Sequence, residues 1–452
     1  MTKKIGLSLV AATLLTSSMA MAFEDTQVTG GMKLWYQTQS QSDTDKDFLD
    51  REASIGDLVA NLGITSKAND HIGVGMKMYA ATTLGLEENV VSNETLSNAT
   101  SGGGVTGAVL NGENANPYWL GEAYMTYTAS NTVVKIGRQE LDTPLAYTEK
   151  WNAAPNTFEA TAIINNDVPD TTIVAAFVSR GNGHFSGASG SGLTTNANTV
   201  LPAFNSYWEG VTDGGNILTT KDRGGAYALG ILNKSSEMVP VNIWLYDVLE
   251  TATATWVDAT IAAGPVKVLL QGANVAPTGA TQTFLDTTAG ESQATTAMAA
   301  KVSATFGEIS AYGAFSSVSA GNLPVANTAT GFKKTKLCTA SIFSDGMYAA
   351  QPDTASMKLG ASMKMGEASS LAVSYGTYTI GKNEESSGVA YTTAGSGKAG
   401  ADLGTSEIDV VFKTKVSDIN LAAMYINQAA YTKLAGDEID RSFIRVIAGI
   451  DF

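Results

Sequence analysis

The chain reads as an all-β protein, a transmembrane antiparallel β-barrel of about eighteen strands. Three observations predict this. Segments of about ten residues alternate apolar and polar side chains along almost the whole length. The connectors between them sort into a short set and a long set that take turns along the chain. Charge within the clearest segments keeps to one parity.

Reading from the amino end, Met1-Thr2-Lys3-Lys4 is basic, residues 5–15 form an apolar run, and Ala20-Met21-Ala22 is a small-x-small cleavage site. This pattern predicts a secretory signal peptide over residues 1–22, leaving 23–452 as one barrel domain. The apolar run is too short to be a membrane anchor, and no later stretch offers the roughly 18 consecutive apolar residues of a transmembrane helix. Loss of Lys3 and Lys4 takes the basic residues from 28 to 26 against 43 acidic ones, so the net charge moves from −15 to −17. So acidic an exported chain argues against a nucleic-acid partner. Cys338 is the only cysteine, which excludes an intramolecular disulfide framework. The 46 glycines, with abundant Ser, Thr and Asn, supply turns and polar loops.

Strands are expected near 26–39, 55–66, 71–82, 118–129, 132–139, 157–165, 171–180, 224–233, 239–249, 253–263, 266–275, 294–306, 309–318, 356–365, 369–379, 405–416, 419–428 and 441–452. Short connectors include Lys67-Ala68-Asn69-Asp70, Ser130-Asn131, Gly264-Pro265, Gly307-Glu308 and Ser417-Asp418; the long ones are 40–54, 83–117, 181–223, 319–355 and 380–404. Short periplasmic turns and long extracellular loops make this asymmetry in a bacterial barrel. A β-sandwich has no reason to sort its loops by parity. The connectors 250–252 and 234–238 fit the two sets less well, which leaves the strand count open by a hairpin.

The uncharged parity includes Leu58-Ala60-Leu62-Ile64, Ile72-Val74-Met76-Met78 and Met357-Leu359-Ala361-Met363-Met365. The opposite parity carries Asp57, Lys77, Lys301, Lys358, Lys364, Glu407, Asp409, Lys413, Lys415, Arg445 and Asp451. A Lys or Arg facing mid-bilayer lipid costs roughly 2–4 kcal/mol, whereas one facing water costs little. Hydrocarbon cannot satisfy backbone N–H and C=O groups, so only a closed ring of strands crosses it. Eighteen strands make a ring too wide for side chains alone to fill, which leaves a water-filled lumen.

The last segment, 443–452, alternates Ile444, Val446, Ala448 and Ile450 with Arg445 and Asp451 and ends on Phe452. It resembles the closing strand of bacterial outer-membrane barrels, in which a terminal Phe is the signal read by the barrel assembly machinery. Between the fifth and sixth strands, Gly137-Arg138-Gln139-x-Leu141-Asp142-Thr143-Pro144 and Pro155-x-Thr157-Phe158-Glu159 resemble outer-membrane porins of the OprD-like group, in particular the major outer-membrane porins of Campylobacter-type bacteria. The resemblance covers signal, strand plan, third-loop segment and terminal Phe; the other long loops show no match. It implies an outer-membrane homotrimer with a third loop folded into the lumen, passing small hydrophilic solutes or amino acids and leaning toward cations.

A constriction selects by width and by the field of its wall charges. The candidates are Arg138, Glu140, Asp142, Glu149 and Lys150 on or near the third loop, Glu122 and Glu159 on flanking strands, and Lys77, Lys358, Lys364, Lys413 and Arg445 on the facing wall. Solvated wall charge or structural ion pairs are the plainer reading of each. Lys135 and Arg138 have opposite parity, so both reach the lumen only if the strand bulges near Gly137. Trp35, Tyr36, Tyr118, Trp119, Trp244 and Tyr246 fit girdles at strand ends, with a lumen-facing place as the alternative.

Catalytic chemistry finds no support, because His71 and His184 are the only histidines and neither has a triad spacing. No cofactor is indicated. Asp43, Asp45 and Asp47 have the oxygen ligands a Ca2+ ion takes, although a solvated acidic loop is the simpler reading. Two functions from different classes stand: a diffusion or substrate-selective channel, and a barrel whose long loops serve adhesion at the cell surface.

Overall fold

In a computed structural model, residues 24–42, 45, 47–82, 118–182, 212–213, 216–217, 225–288, 291–327, 334–346, 348–381, 403–432 and 438–452 are described. The expected signal segment, His184, and Asp43 of the acidic loop lie outside them, as do the side chains of Tyr118 and Trp119.

The strands are β1 Glu24–Gln41, β2 Ser54–Lys67, β3 Ile72–Thr82, β4 Tyr118–Ala129, β5 Thr132–Gln139, β6 Thr157–Asn165, β7 Thr171–Asn182, β8 Ala226–Asn233 and β9 Val241–Val248. They continue with β10 Ala252–Ala263, β11 Val266–Pro277, β12 Thr295–Phe306, β13 Ile309–Val318, β14 Thr354–Met365, β15 Ser369–Ile380, β16 Leu403–Val416, β17 Ile419–Thr432 and β18 Glu438–Asp451. All eighteen expected strands are present, with ends shifted by at most four residues. Every neighbour pair is antiparallel, and β1 pairs with both β2 and β18, so Gly31 stands opposite Asn61 on one side and Asp451 on the other. The ring therefore has no edge, which is the condition for crossing hydrocarbon.

Closure is finished by the terminal residue. Gly30 N donates to Phe452 O at 2.9 Å and Phe452 N donates to Gly30 O at 2.8 Å. The Phe452 ring lies over Gly30, where an added Cβ would come within 2.4 Å of it.

The two walls follow the sequence parity. Met32, Leu62, Met76, Met78, Val302, Met357, Leu359 and Met363 are all exposed on the outside. Lys77, Lys358, Glu407, Asp409 and Arg445 take the inner parity, together with Trp35, Trp244, Tyr246 and Trp256. Three of the girdle candidates, Trp35, Trp244 and Tyr246, are thus buried on the lumen side. The largest buried cluster joins the last two to the loops: Trp244, Tyr246, Trp256, Ala297 and Val318 of the wall pack with Leu145, Leu323, Val325 and Leu337. Part of the lumen is filled.

Three elements carry no strand signal in the sequence: a 3-10 turn Arg51–Ala53, a two-residue ribbon pairing Thr212–Asp213 with Asn216–Ile217, and helix α1 Gly279–Thr288 between β11 and β12. The Glu250 carboxylate accepts the Ala280 N–H at 3.1 Å beside the α1 amino end, and Leu285 is its buried anchor. With five of ten positions Thr or Gly, α1 lacks the helical periodicity that would betray it.

Candidate functional site

Loop 3, residues 140–156, leaves β5 and turns inward. Its tip closes as a small hairpin: Asp142 bridges Tyr147, Thr148 N donates to Leu141 O at 2.8 Å, and Thr143 Oγ1 donates to Ala146 O at 2.8 Å. The wall holds it at two places. Leu145 N donates to the Tyr246 hydroxyl on β9 at 3.3 Å. The Lys33 ammonium on β1 donates to the carbonyls of Lys150 and Trp151 at 3.3 and 3.4 Å and also to that of Asn152. Trp151 and Trp35 meet with ring centroids 6.5 Å apart, and the Arg445 guanidinium lies over both.

The described residues of loop 7, between β13 and β14 (319–327, 334–346 and 348–353), also turn inward and pack on the inner wall from β11 to β16. Gln271 donates to Lys336 O and accepts from Cys338 N, both at 2.8 Å. The Tyr378 hydroxyl donates to Thr339 O at 2.8 Å and Lys358 Nζ to Ala340 O at 2.7 Å. Glu407 accepts the successive N–H groups of Phe343 and Ser344 at 2.9 and 2.6 Å. Asp345 pairs with Lys334 at 2.9 Å and accepts from Thr335 N. Complete burial pushes the Asp345 carboxyl up to about 6 despite that ammonium.

The loops meet inside the ring. Tyr147 N donates to Asn327 Oδ1 at 3.1 Å, while Asn327 Nδ2 donates to Tyr147 O at 2.9 Å and to Glu149 Oε1 at 3.0 Å. Lys336 ion-pairs with Asp142. A bar of loop segments thus reaches from β1 and β9 to β16. Sequence patterns point to loop 3, whereas 319–355 reads there as an ordinary extracellular loop; the fold brings it inside. The residues do carry a signal for this. Leu323-Pro324-Val325-Ala326 and Tyr348-Ala349-Ala350 are too apolar for a solvated loop, and Trp244, Tyr246 and Trp256 on the inner parity need a cover.

The expected constriction residues take three kinds of place. Glu140, half-buried, and Asp142 and Lys150, both exposed, lie on loop 3; Lys150 pairs with Glu140 at 2.8 Å, which makes its ammonium hold its proton more tightly. Lys77 and Glu122 stand opposite each other on the inner parity of β3 and β4, and Lys364 and Lys413 lie exposed near the short-turn ends of β14 and β16. Glu149, Lys358 and Arg445 are 2%, 8% and 4% exposed and serve the loops: Glu149 accepts from Asn327 and Trp151, and Arg445 donates to Gln37 Oε1 at 3.0 and 2.7 Å.

Arg138 and Glu159, expected at the constriction, do not line it. Gly137 has φ +121°, but the β5 register against β4 and β6 is unbroken, so no bulge turns Arg138 inward. It shares the outer parity of exposed Ile136, as Glu159 shares that of exposed Ile163, and the two pair on the outside at 2.8 Å. Lys135 takes the lumen side instead, its ammonium 3.6 Å from the Tyr124 ring centroid.

His71 sits exposed at a turn with Nδ1 2.9 Å from Thr128 O. Among the described residues, no three His, Cys, Asp or Glu side chains converge to hold a metal ion.

A closed strand ring with an apolar outer wall, a charged inner wall and two loops folded into it defines the architecture of a membrane-spanning porin. No family model and no curated protein sequence matches the chain. In structure it is similar to OccK3 (OpdO) of Pseudomonas aeruginosa, with a TM-score of 0.64, 11% identity, and coverage of 97% of this chain and 99% of that one. It is also similar to OccD3 (OpdP) of the same organism (0.66, 14%, 95% and 91%) and to OprD (0.64, 12%, 95% and 96%). The fold is that of the OprD/Occ porins.

Proposed function

We propose that the protein sits in a bacterial outer membrane as a homotrimer and forms a channel for passive diffusion of small hydrophilic solutes, with a lean toward cations. The observation that carries this reading is the junction of loops 3 and 7 through Asn327 and Lys336 inside an eighteen-stranded ring. In this reading a polar passage runs beside the fixed bar. Glu140 and Asp142 lie on that bar in direct ion pairs with Lys150 and Lys336, which puts close opposite charges along the path proposed for a solute.

Neutralising Glu140→Gln and Asp142→Asn together, while leaving the buried loop-holding Glu149 in place, is expected to lower cation preference in planar-bilayer recordings. An unchanged reversal potential in a salt gradient would remove these acids from the ion path. A second reading, a selective channel for amino acids or other small charged metabolites, draws support from the close opposite charges at the passage, which would orient a dipolar solute. One structural neighbour, OpdK, has been crystallised with vanillate. Block of single-channel current by millimolar zwitterionic or carboxylate solutes would favour this reading; linear swelling rates that depend on solute size alone would favour simple diffusion.

A further inference from the structure

The outer wall is not uniform around the ring. On β14 the outward positions Ala355, Met357, Leu359, Ala361, Met363 and Met365 are all apolar. On β5 and β6 two polar pairs interrupt the outer face. Arg138 and Glu159 form one at 2.8 Å, and Thr132 and Asn165 form the other, also at 2.8 Å. Between them only Val134, Ile136, Thr161 and Ile163 point outward. The pairs stand six residues apart on each strand, 132 to 138 and 159 to 165. At about 3.3 Å per residue and a tilt of about 40°, that is roughly 15 Å along the membrane normal. Lipid demands an apolar band of about 25 Å, which the ten residues from Ala355 to Met365 on β14 do cover.

Strand length points the same way. β5, β6, β8 and β9 hold 8, 9, 8 and 8 residues, against 12 in β14, where a membrane strand needs about 9–11. Lipid along this arc would meet an ion pair inside its hydrocarbon, whereas protein brings hydrogen-bonding groups of its own. The arc also has the relief of a packing face. Thr161, Phe177, Tyr227 and Asp247 form one outward row from β6 to β9. Beside it, Ile163, Ala175, Leu229 and Leu245 line a groove of about 440 Å3 with the Phe177 and Tyr227 rings, whose centroids are 5.0 Å apart. The two edges of the arc carry opposite charges, Arg138 on β5 and exposed Asp247 on β9. In a closed ring of copies each contact is heterologous, so the β5 edge of one copy meets the β9 edge of the next and those charges attract.

We propose that the outer wall from β5 to β9 is the contact face between copies of this chain, with the Phe177–Tyr227 groove filled by apolar side chains of the next copy. This assignment rests on the homotrimer reading and names the wall that forms it. The β14 face then looks into lipid.

The test places a photoreactive benzophenone on the outer wall of the full-length protein in outer-membrane vesicles. Tyr227, 51% exposed, and Leu359, 61% exposed, both put the probe in reach of whatever covers them. After irradiation, Tyr227→p-benzoylphenylalanine is expected to give a covalent dimer, and Leu359→p-benzoylphenylalanine a lipid adduct with no dimer. A dimer from the Leu359 position alone would leave the oligomer standing and overturn the assignment of its face. A lipid adduct as the sole product at Tyr227 would also overturn it and make the groove a lipid site. Monomer alone in native mass spectrometry from the vesicles, with no dimer from either position, would remove the homotrimer and the face together. Should the Tyr227 variant fail to assemble, Ile163→p-benzoylphenylalanine carries the same probe from the other side of the groove and is read in the same way.

Discussion

Among single residues, burial separates groups that act on solutes from groups that hold the loops. Asp345 is the clearest of the second kind. Its carboxyl, raised to about 6 in the folded loop, stands near 3.8 when exposed. A raised acid binds its proton more tightly in the folded state, so its contribution to loop seating is full below about pH 4 and is lost as pH rises through about 6. Loop 7 amides around 335–345 should therefore exchange faster, after correction for intrinsic rates, at pH 7.5 than at pH 4.5. Asp345→Asn should flatten that difference, and an unchanged pH dependence in the variant would show that another group controls it. Arg445 and Lys358 have the right chemistry and the right parity to serve a solute field, and Glu149 has the right chemistry on loop 3. What alternation cannot reveal is that Trp35, Trp151 and Phe343 cover the Arg445 guanidinium. Parity does carry the warning about Arg138, since three positions separate it from Lys135 and an unbulged strand must send the two to opposite faces.

Among the elements, the strands are legible in the sequence and most of the loops are not. A strand's two faces see different solvents, and a period of two writes that difference into every other residue. Loop 3 is legible through its position between the fifth and sixth strands and through its local words. Loop 7 depends on contacts between residues far apart, such as Asn327 with Tyr147 and Gln271 with Cys338, for which sequence spacing offers no cue. Its role can be tested alone. Asn327→Ala removes the two donated hydrogen bonds and the accepted one and leaves buried partners costing about 1–3 kcal/mol each. Single-channel conductance should rise and become noisier while the barrel's heat-dependent gel migration stays as in wild type. A quiet channel of wild-type conductance would mean that the loops hold their places independently.

The molecule as a whole places lipid outside its ring and water inside. Leu359 is 61% exposed on the outer wall of β14, so Leu359→Arg should cost roughly 2–4 kcal/mol if it faces mid-bilayer. Lys413→Leu on the inner wall should be nearly neutral. Urea titration of the protein in lipid vesicles, followed by tryptophan fluorescence, would measure both, and equal effects would contradict the assignment of the two faces. Strand number, the sidedness of the pleats and the place of Phe452 at the end of the closing strand are all written in the order of residues, because each is a local consequence of alternation, connector length or chain end. That two loops cross the lumen, which charges they cover, and that Arg138 and Glu159 look outward emerge only once the chain is folded. Those outcomes arise where distant segments compete for the same interior space, and that competition is settled by packing and burial rather than by any local pattern.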